Sequence, residues 1–206
     1  MLRLHRLEVE DFGPFRGKQE ICFPRDAGVT VIRGENMHGK TSVLNALRFA
    51  LFGKVLGRGS RPIPIHQLIN WATSEEGNHR LSVSLEFAFE DEEYELRRRL
   101  KPRSGVGIPA GEADYETLVT LTRGGVVLSP EQTEREMARI MPLEIARFFL
   151  FDGELLQEYE DLLLEETSAG FEIKRAIERI LGLPVLTNAR RDLETVVNDV
   201  GKQESK

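Results

Sequence analysis

Gly34-Glu-Asn-Met-His-Gly-Lys-Thr-Ser42 is the stretch from which the fold of this chain can be read. It fits the pattern G-x-x-x-x-G-K-[ST], and its flanks give the pattern meaning. The apolar run Val29-Thr-Val-Ile-Arg33 leads in and predicts a strand; Ser42-Val-Leu-Asn-Ala-Leu-Arg-Phe-Ala-Leu-Phe52 leads out and predicts a helix. Strand, glycine-bounded loop and helix N-terminus together form a trap for a polyphosphate. Backbone N–H groups wrap the β-phosphate, and the unpaired first amides of the helix face it with the positive end of the helix dipole. In such a loop Lys40 reaches the β- and γ-phosphates, and the Thr41 hydroxyl takes a place on Mg²⁺. Chance alone produces the bare pattern in roughly one chain of this size per hundred. The strand and helix flanks make coincidence rarer, so the reading is a nucleotide-binding α/β domain.

The 206 residues, 40% hydrophobic and 30% charged, suffice for one sizeable core. A formal net charge of −6 argues against a protein that simply coats nucleic acid, although a local basic patch stays compatible with it. The single cysteine, Cys22, lies in the apolar run Ile21-Cys-Phe23 and predicts a buried, inert thiol in a reducing compartment. The N-terminus Met1-Leu-Arg-Leu-His-Arg6 lacks a signal-peptide core, and no apolar run approaches the ~20 residues of a membrane span. The expectation is a soluble, cytoplasmic protein.

Along the chain, residues 2–10 and 18–23 read as strands around a turn at Phe12-Gly-Pro-Phe15, and 40–52 as a covered helix. Residues 53–64 read as an exposed, mobile, positively charged loop. Leu81, Val83, Leu85, Phe87 and Phe89 alternate almost perfectly, and Tyr94, Leu96, Arg98 and Leu100 alternate back after the charged turn Glu90–Glu93. Residues 117–123 and 126–128 form a further hairpin around Gly124-Gly125, completing an antiparallel meander. Between its strands, the glycine- and proline-rich Lys101–Asp114 reads as a loop without structure of its own. Ser129-Pro130 opens a helix over 131–141. Phe148–Phe151 suits a buried strand ending in Asp152-Gly-Glu154, and helical character returns at 155–166, at 171–181 and from Pro184. There Leu186, Leu193, Val196, Val197 and Val200 make a narrow apolar stripe, which fits either the start of a coiled coil or an ordinary surface helix.

Taken in order, Phe12-Gly-Pro-Phe-Arg16, the loop Gly-x-Asn-x-x-Gly-Lys-Thr-Ser, the meander and Phe148-Phe-Leu-Phe-Asp-Gly-Glu154 carry a resemblance. The chain resembles the N-terminal half of an SMC/SbcC-type ABC ATPase head. The Phe148–Glu154 string is most similar to the DndD branch, the ATPases of bacterial DNA phosphorothioation systems. What the resemblance implies is an α/β P-loop NTPase lobe with an antiparallel sheet beside the nucleotide-binding sheet, and C-terminal helices leading toward a coiled coil. It divides the chain into a half-head, 1–166, and a helical segment, 167–206. It implies ATP and Mg²⁺ as cofactors, held by Gly34, Glu35, Asn36, Met37, His38, Gly39, Lys40, Thr41 and Ser42. Asp152 takes the place of the Mg²⁺-reporting loop residue, and Arg16 matches a basic position near the phosphates. One departure is Met37-His38, where the family commonly has small residues.

No Leu-Ser-Gly-Gly-like string and no apolar strand ending in Asp-Glu is present. The resemblance places those hydrolytic parts after a long coiled-coil hairpin, so it assigns no catalytic residue to this half. The implied partners are the C-terminal half of the head, a second copy for an ATP sandwich, DNA, and proteins of a modification or defence system, without a membrane. Lys54, Arg58, Arg61 and Lys101–Arg103 are the expected DNA contacts, and a nucleoid-associated location follows. The alternatives are an SbcC-like repair or anti-phage ATPase, and a non-catalytic module that binds ATP to dock. A stand-alone P-loop kinase or GTPase is disfavoured: the Asn-Lys-x-Asp guanine-reading motif is missing, and small kinases rarely place an antiparallel meander after the phosphate loop.

Overall fold

Period-two alternation builds the core. In the computed structural model, which describes residues 2–25, 28–35, 38–55 and 62–142 together with Leu150, Glu178, Ala189, Arg190 and Leu193, the strands are β1 Arg3–Phe12, β2 Phe15–Cys22, β3 Leu81–Phe89, β4 Glu92–Pro102, β5 Tyr115–Arg123 and β6 Val126–Val127. They form one six-stranded antiparallel sheet in the order β2-β1-β3-β4-β5-β6. Leu7, Val9, Val83, Leu85, Phe87, Leu96 and Leu121 fall on one face and are buried. Register pairs Leu85 with Leu96 and Phe87 with Tyr94, whose rings stack at 5.2 Å. Each such side chain contributes about 1.5–3 kcal/mol by leaving water.

Among the described residues, three α-helices join this sheet: α1 Lys40–Phe52, α2 Trp71–Glu75 and α3 Pro130–Ile140. Helix α1 packs on β1, β3 and β4, with Ala46, Phe49 and Ala50 fully buried and the Phe49 ring 5.8 Å from Phe12. It starts after Gly39 and stops at Gly53, both in the left-handed region, within the limits expected for residues 40–52. Helix α3 begins as the sequence predicts: the Ser129 hydroxyl accepts from Gln132 N, and Gln132 Oε1 accepts from Ser129 N at 3.0 Å.

Polar contacts tie α3 to the meander. Glu136 Oε1 accepts from Tyr94 Oη at 2.6 Å and from Arg139 Nη2 at 2.8 Å, with Arg123 Nη1 at 3.9 Å. Arg139 also pairs with Glu90 and lies over the Phe89 ring. The bond from Arg139, then that from Tyr94, holds the Glu136 carboxyl below its ordinary range. A carboxyl depressed in the fold stabilises it above the unfolded value and loses that contribution as pH falls through the folded one. The stability gap between wild type and Glu136→Gln, roughly 1 kcal/mol at neutral pH, is therefore expected to close below about pH 4. Urea titrations at pH 7 and pH 3 check this; an unchanged gap would mean the charge adds nothing.

Several expectations are corrected. Residues 29–33 form no strand: Val29 is 91%, Val31 66% and Ile32 45% exposed. A strand needs a neighbour, and neither edge of the sheet, β2 or β6, pairs with this run. An antiparallel sheet is present, but among the described residues no second, nucleotide-binding sheet stands beside it. Cys22 is exposed, not buried, because Ile21 and Phe23 take the inward alternation and leave it on the opposite face. Lys101–Asp114 is organised: Arg103 N and Nε donate to Asp114 O and Ala113 O, Ala110 N to Asp114 Oδ2, and Lys101 pairs with Glu116. The basic loop after Gly53 is closed at its base, where Val55 is buried and accepts from Ile63 N at 2.9 Å.

The chain divides into two compact units, Met1–Leu143 and Glu144–Lys206. In the second, Glu178, Ala189, Arg190 and Leu193 are helical. The strand expected at 148–151, apart from Leu150, and Asp152 lie outside the described residues, as do Asn36, Met37, Arg58, Arg61 and most of the C-terminal helices with their apolar stripe. Among the described residues, no helix is long and apolar enough to cross a membrane.

Candidate nucleotide site

The loop reaches α1 through Gly39, whose φ of 88° and ψ of 6° turn the chain so that the helix opens directly behind it. Among the described residues no side chain caps that end, and no acidic residue sits in the first turn. The first helical bond runs from Val43 N to Gly39 O, 3.0 Å; the preceding amides have no intrahelical acceptor. Positive potential and amides without an acceptor among the described residues therefore coincide at Lys40–Ser42.

Lys40 bends back across the loop, its Nζ 2.6 Å from both Gly34 O and Glu35 O. That holds the ammonium at the two carbonyls by which the chain enters the loop. A Cβ on Gly34 would come within 3.7 Å of the Lys40 stem. His38 N donates to Glu35 O at 3.4 Å, and the His38 ring is 3.8 Å from the Glu35 carboxylate, both side chains exposed. Thr41 is exposed, while Ser42 is half-buried against Gly13. The structure thus gathers Gly34, Glu35, His38, Gly39, Lys40, Thr41 and Ser42 into one loop and helix start.

The β1–β2 turn forms a wall that sequence reasoning missed. Phe15 and Pro14 lie against Gly39, where an added Cβ would meet the Phe15 ring at 3.1 Å and Pro14 Cγ at 3.5 Å. The Phe12-Gly-Pro-Phe15 string marked a turn, but nothing in it says what the turn touches. Arg16, expected near phosphates, donates from Nη2 to both carboxylate oxygens of Glu76, 2.7 and 2.9 Å, with both side chains exposed. Of the expected DNA contacts, Lys54 is exposed, Lys101 is paired with Glu116, and Arg103 is bonded to Ala113 O.

At the far end of α1, Arg98 on β4 does what its place in an apolar alternation could not reveal. Its Nε donates to Ala50 O at 3.1 Å and its guanidinium lies over Phe49. Burial lowers its pKa to about 10, so it stays charged at neutral pH and complements the negative helix end. Gly53 is required beside it: φ is 68°, and a Cβ would stand 2.8 Å from Arg98 Nη1. The loop helix is thereby fixed at both ends.

The family model described as an AAA domain matches residues 6–180. The DNA replication and repair protein RecF of Desulforudis audaxviator is 28% identical over 153 residues, 71% of this chain and 39% of that protein. The SbcC component of the nuclease SbcCD of Vibrio cholerae is 27% identical over 156 residues, 71% of this chain and 15% of its own length. The probable DNA double-strand break repair Rad50 ATPase of Aquifex aeolicus is 27% identical over 211 residues, spanning 99% of this chain and 19% of that one. The chain therefore spans well under half the length of each.

Proposed function

The chain belongs to the AAA domain family, and from that membership we propose that it binds ATP with Mg²⁺ as the N-terminal half of an SMC/SbcC-type ABC ATPase head that acts on DNA. The observation that carries this reading is the loop itself: Lys40 Nζ held across it, left-handed Gly39, and an uncapped helix start. These residues fit a nucleoside triphosphate. The amides at Lys40–Ser42 would take phosphate oxygens and Lys40 would exchange its carbonyl partners for the β- and γ-phosphates. The hard oxygen of Thr41 would join Mg²⁺, with Asp152 as a further ligand or water holder. Arg16 would reach the phosphates by leaving Glu76.

The exposed run Val29–Ile32 supports the half-head reading. Three apolar side chains in an unpaired segment entering a phosphate loop call for a neighbouring strand, which the C-terminal half of the head would supply. ATP would then bind between this loop and a second head, and catalytic groups would come from outside residues 1–206. A nearer assignment, from the Phe148–Glu154 string, is a DndD-like ATPase of DNA phosphorothioation or its linked defence, at the nucleoid and beside partner proteins of that system. Repair of DNA breaks, the role named for the Rad50 relative, is the other DNA-linked reading.

Calorimetry and a phosphate-release assay test the proposal together. The chain alone is expected to bind Mg·ATP without measurable turnover. Adding the C-terminal half of the head should raise turnover at least tenfold. A chain that ignores ATP at millimolar concentration, or that selects GTP strongly, sinks the reading. Binding that never becomes turnover with the complete head leaves a non-catalytic ATP-dependent docking module in its place.

A further inference from the structure

Asp11 is 8% exposed, sits at a φ of +52°, and has no cationic partner among the described residues. A buried carboxylate is costly unless donors satisfy it, and here the donors come from two distant segments. Oδ1 accepts from Gly17 N at 2.8 Å and Thr73 Oγ1 at 2.9 Å, and Oδ2 accepts from Asn78 Nδ2 at 3.2 Å. Backbone bonds reinforce the same junction: Asn70 N donates to Asp11 O and Gly13 N to Leu68 O, both 2.7 Å. Asn70 Nδ2 donates to Gly13 O at 2.8 Å, while its Oδ1 caps α2. The Arg16–Glu76 pair spans the same gap on the outside.

What this junction immobilises is the turn Gly13-Pro14-Phe15. That turn lies against the start of α1: Phe15 and Pro14 against Gly39, and Gly13 against Ser42. We propose that Asp11 is a positioning residue for the nucleotide site, clamping the β1–β2 turn onto Gly39 and so fixing the phosphate loop without touching the ligand. The assignment rests on the ATP-binding reading above. Its logic is preorganisation: donors held in place bind phosphate more tightly than donors that must first be ordered.

Three variants of the intact chain test it by Mg·ATP calorimetry, thermal unfolding and amide hydrogen exchange. Asp11→Ala removes all three side-chain bonds and puts alanine in a left-handed conformation. Asp11→Asn tolerates that conformation and keeps an oxygen for Gly17 and Thr73, giving up only the acceptor for Asn78. Leu121→Ala truncates a buried residue on β5, three strands away. Asp11→Ala should lose at least tenfold in ATP affinity and exchange faster at Val43–Ala46, the first hydrogen-bonded amides of α1, and Asp11→Asn should recover most of both. Leu121→Ala should lose at least as much thermal stability with affinity unchanged within twofold. The clamp is overturned if Asp11→Ala binds within twofold of wild type, or if Leu121→Ala weakens binding equally. Should wild type itself bind no ATP, the nucleotide reading fails and exchange alone judges the clamp: unchanged rates at Val43–Ala46 in Asp11→Ala would end it.

Discussion

Lys40→Ala is expected to lower ATP affinity by at least a hundredfold while leaving the fold intact. Both halves of that expectation come from where the side chain sits. Lys40 is exposed, and its Nζ bonds to Gly34 O and Glu35 O of the loop. No core contact depends on it, and alanine suits the first turn of a helix. Circular dichroism and the unfolding midpoint should therefore match wild type. The ammonium is also the positive side chain held at the entrance of the loop; Arg33 precedes the loop, and Arg16 is engaged with Glu76. Removing a charge from a phosphate site costs about 3 kcal/mol, a factor near 150. Lys40→Arg separates charge from shape: a planar fork cannot replace a point charge between two carbonyls, so it should rescue only in part. Calorimetry showing Lys40→Ala within threefold of wild type would remove this loop as the nucleotide site.

How far such expectations could be drawn from sequence depended on the range of the forces involved. The limits of α1 were legible because Gly39 and Gly53 act locally, through their own backbone angles. The meander was legible because alternation from Leu81 to Leu100 is a property of successive residues. Contacts across the sequence were not. Asp11 reads as an ordinary turn residue, since Thr73 and Asn78, which give it meaning, lie 62 and 67 positions on. Arg98 reads as an interruption in an apolar face until Ala50 O and the Phe49 ring are brought beside it. Val29–Arg33 fails in the opposite sense. Its composition is that of a strand, but strand formation is a pairing event, and none of the six strands pairs with it. The loop at Lys101–Asp114 misleads because Gly and Pro suggest freedom, whereas Asp114 collects two backbone amides and closes it.

Gly39→Ala should damage binding nearly as much as the loss of Lys40, for a different reason. At φ 88° an alanine pays about 1–2 kcal/mol for the left-handed backbone. Its methyl would also stand 3.1 and 3.2 Å from Phe15 Cζ and Cε1, close enough that the ring or the loop must give by a few tenths of an ångström. The backbone of the turn resists withdrawal, because it is tied through Gly13 to Leu68 and Asn70. The loop must yield instead, and the amides at Lys40–Ser42 leave their common focus. A loss of roughly thirtyfold in Mg·ATP affinity, about 2 kcal/mol, is expected. The two causes separate in a double-mutant cycle with Phe15→Ala. Truncating the ring relieves the collision and not the backbone strain, so the double variant should bind better than the sum of the single losses predicts, by about 1 kcal/mol. Strict additivity would show that Phe15 does not press on the loop, and that strain at Gly39 acts alone. A double variant worse than the sum would mean the ring supports the loop even when Gly39 carries a side chain, making the wall more important to phosphate binding than the glycine it covers.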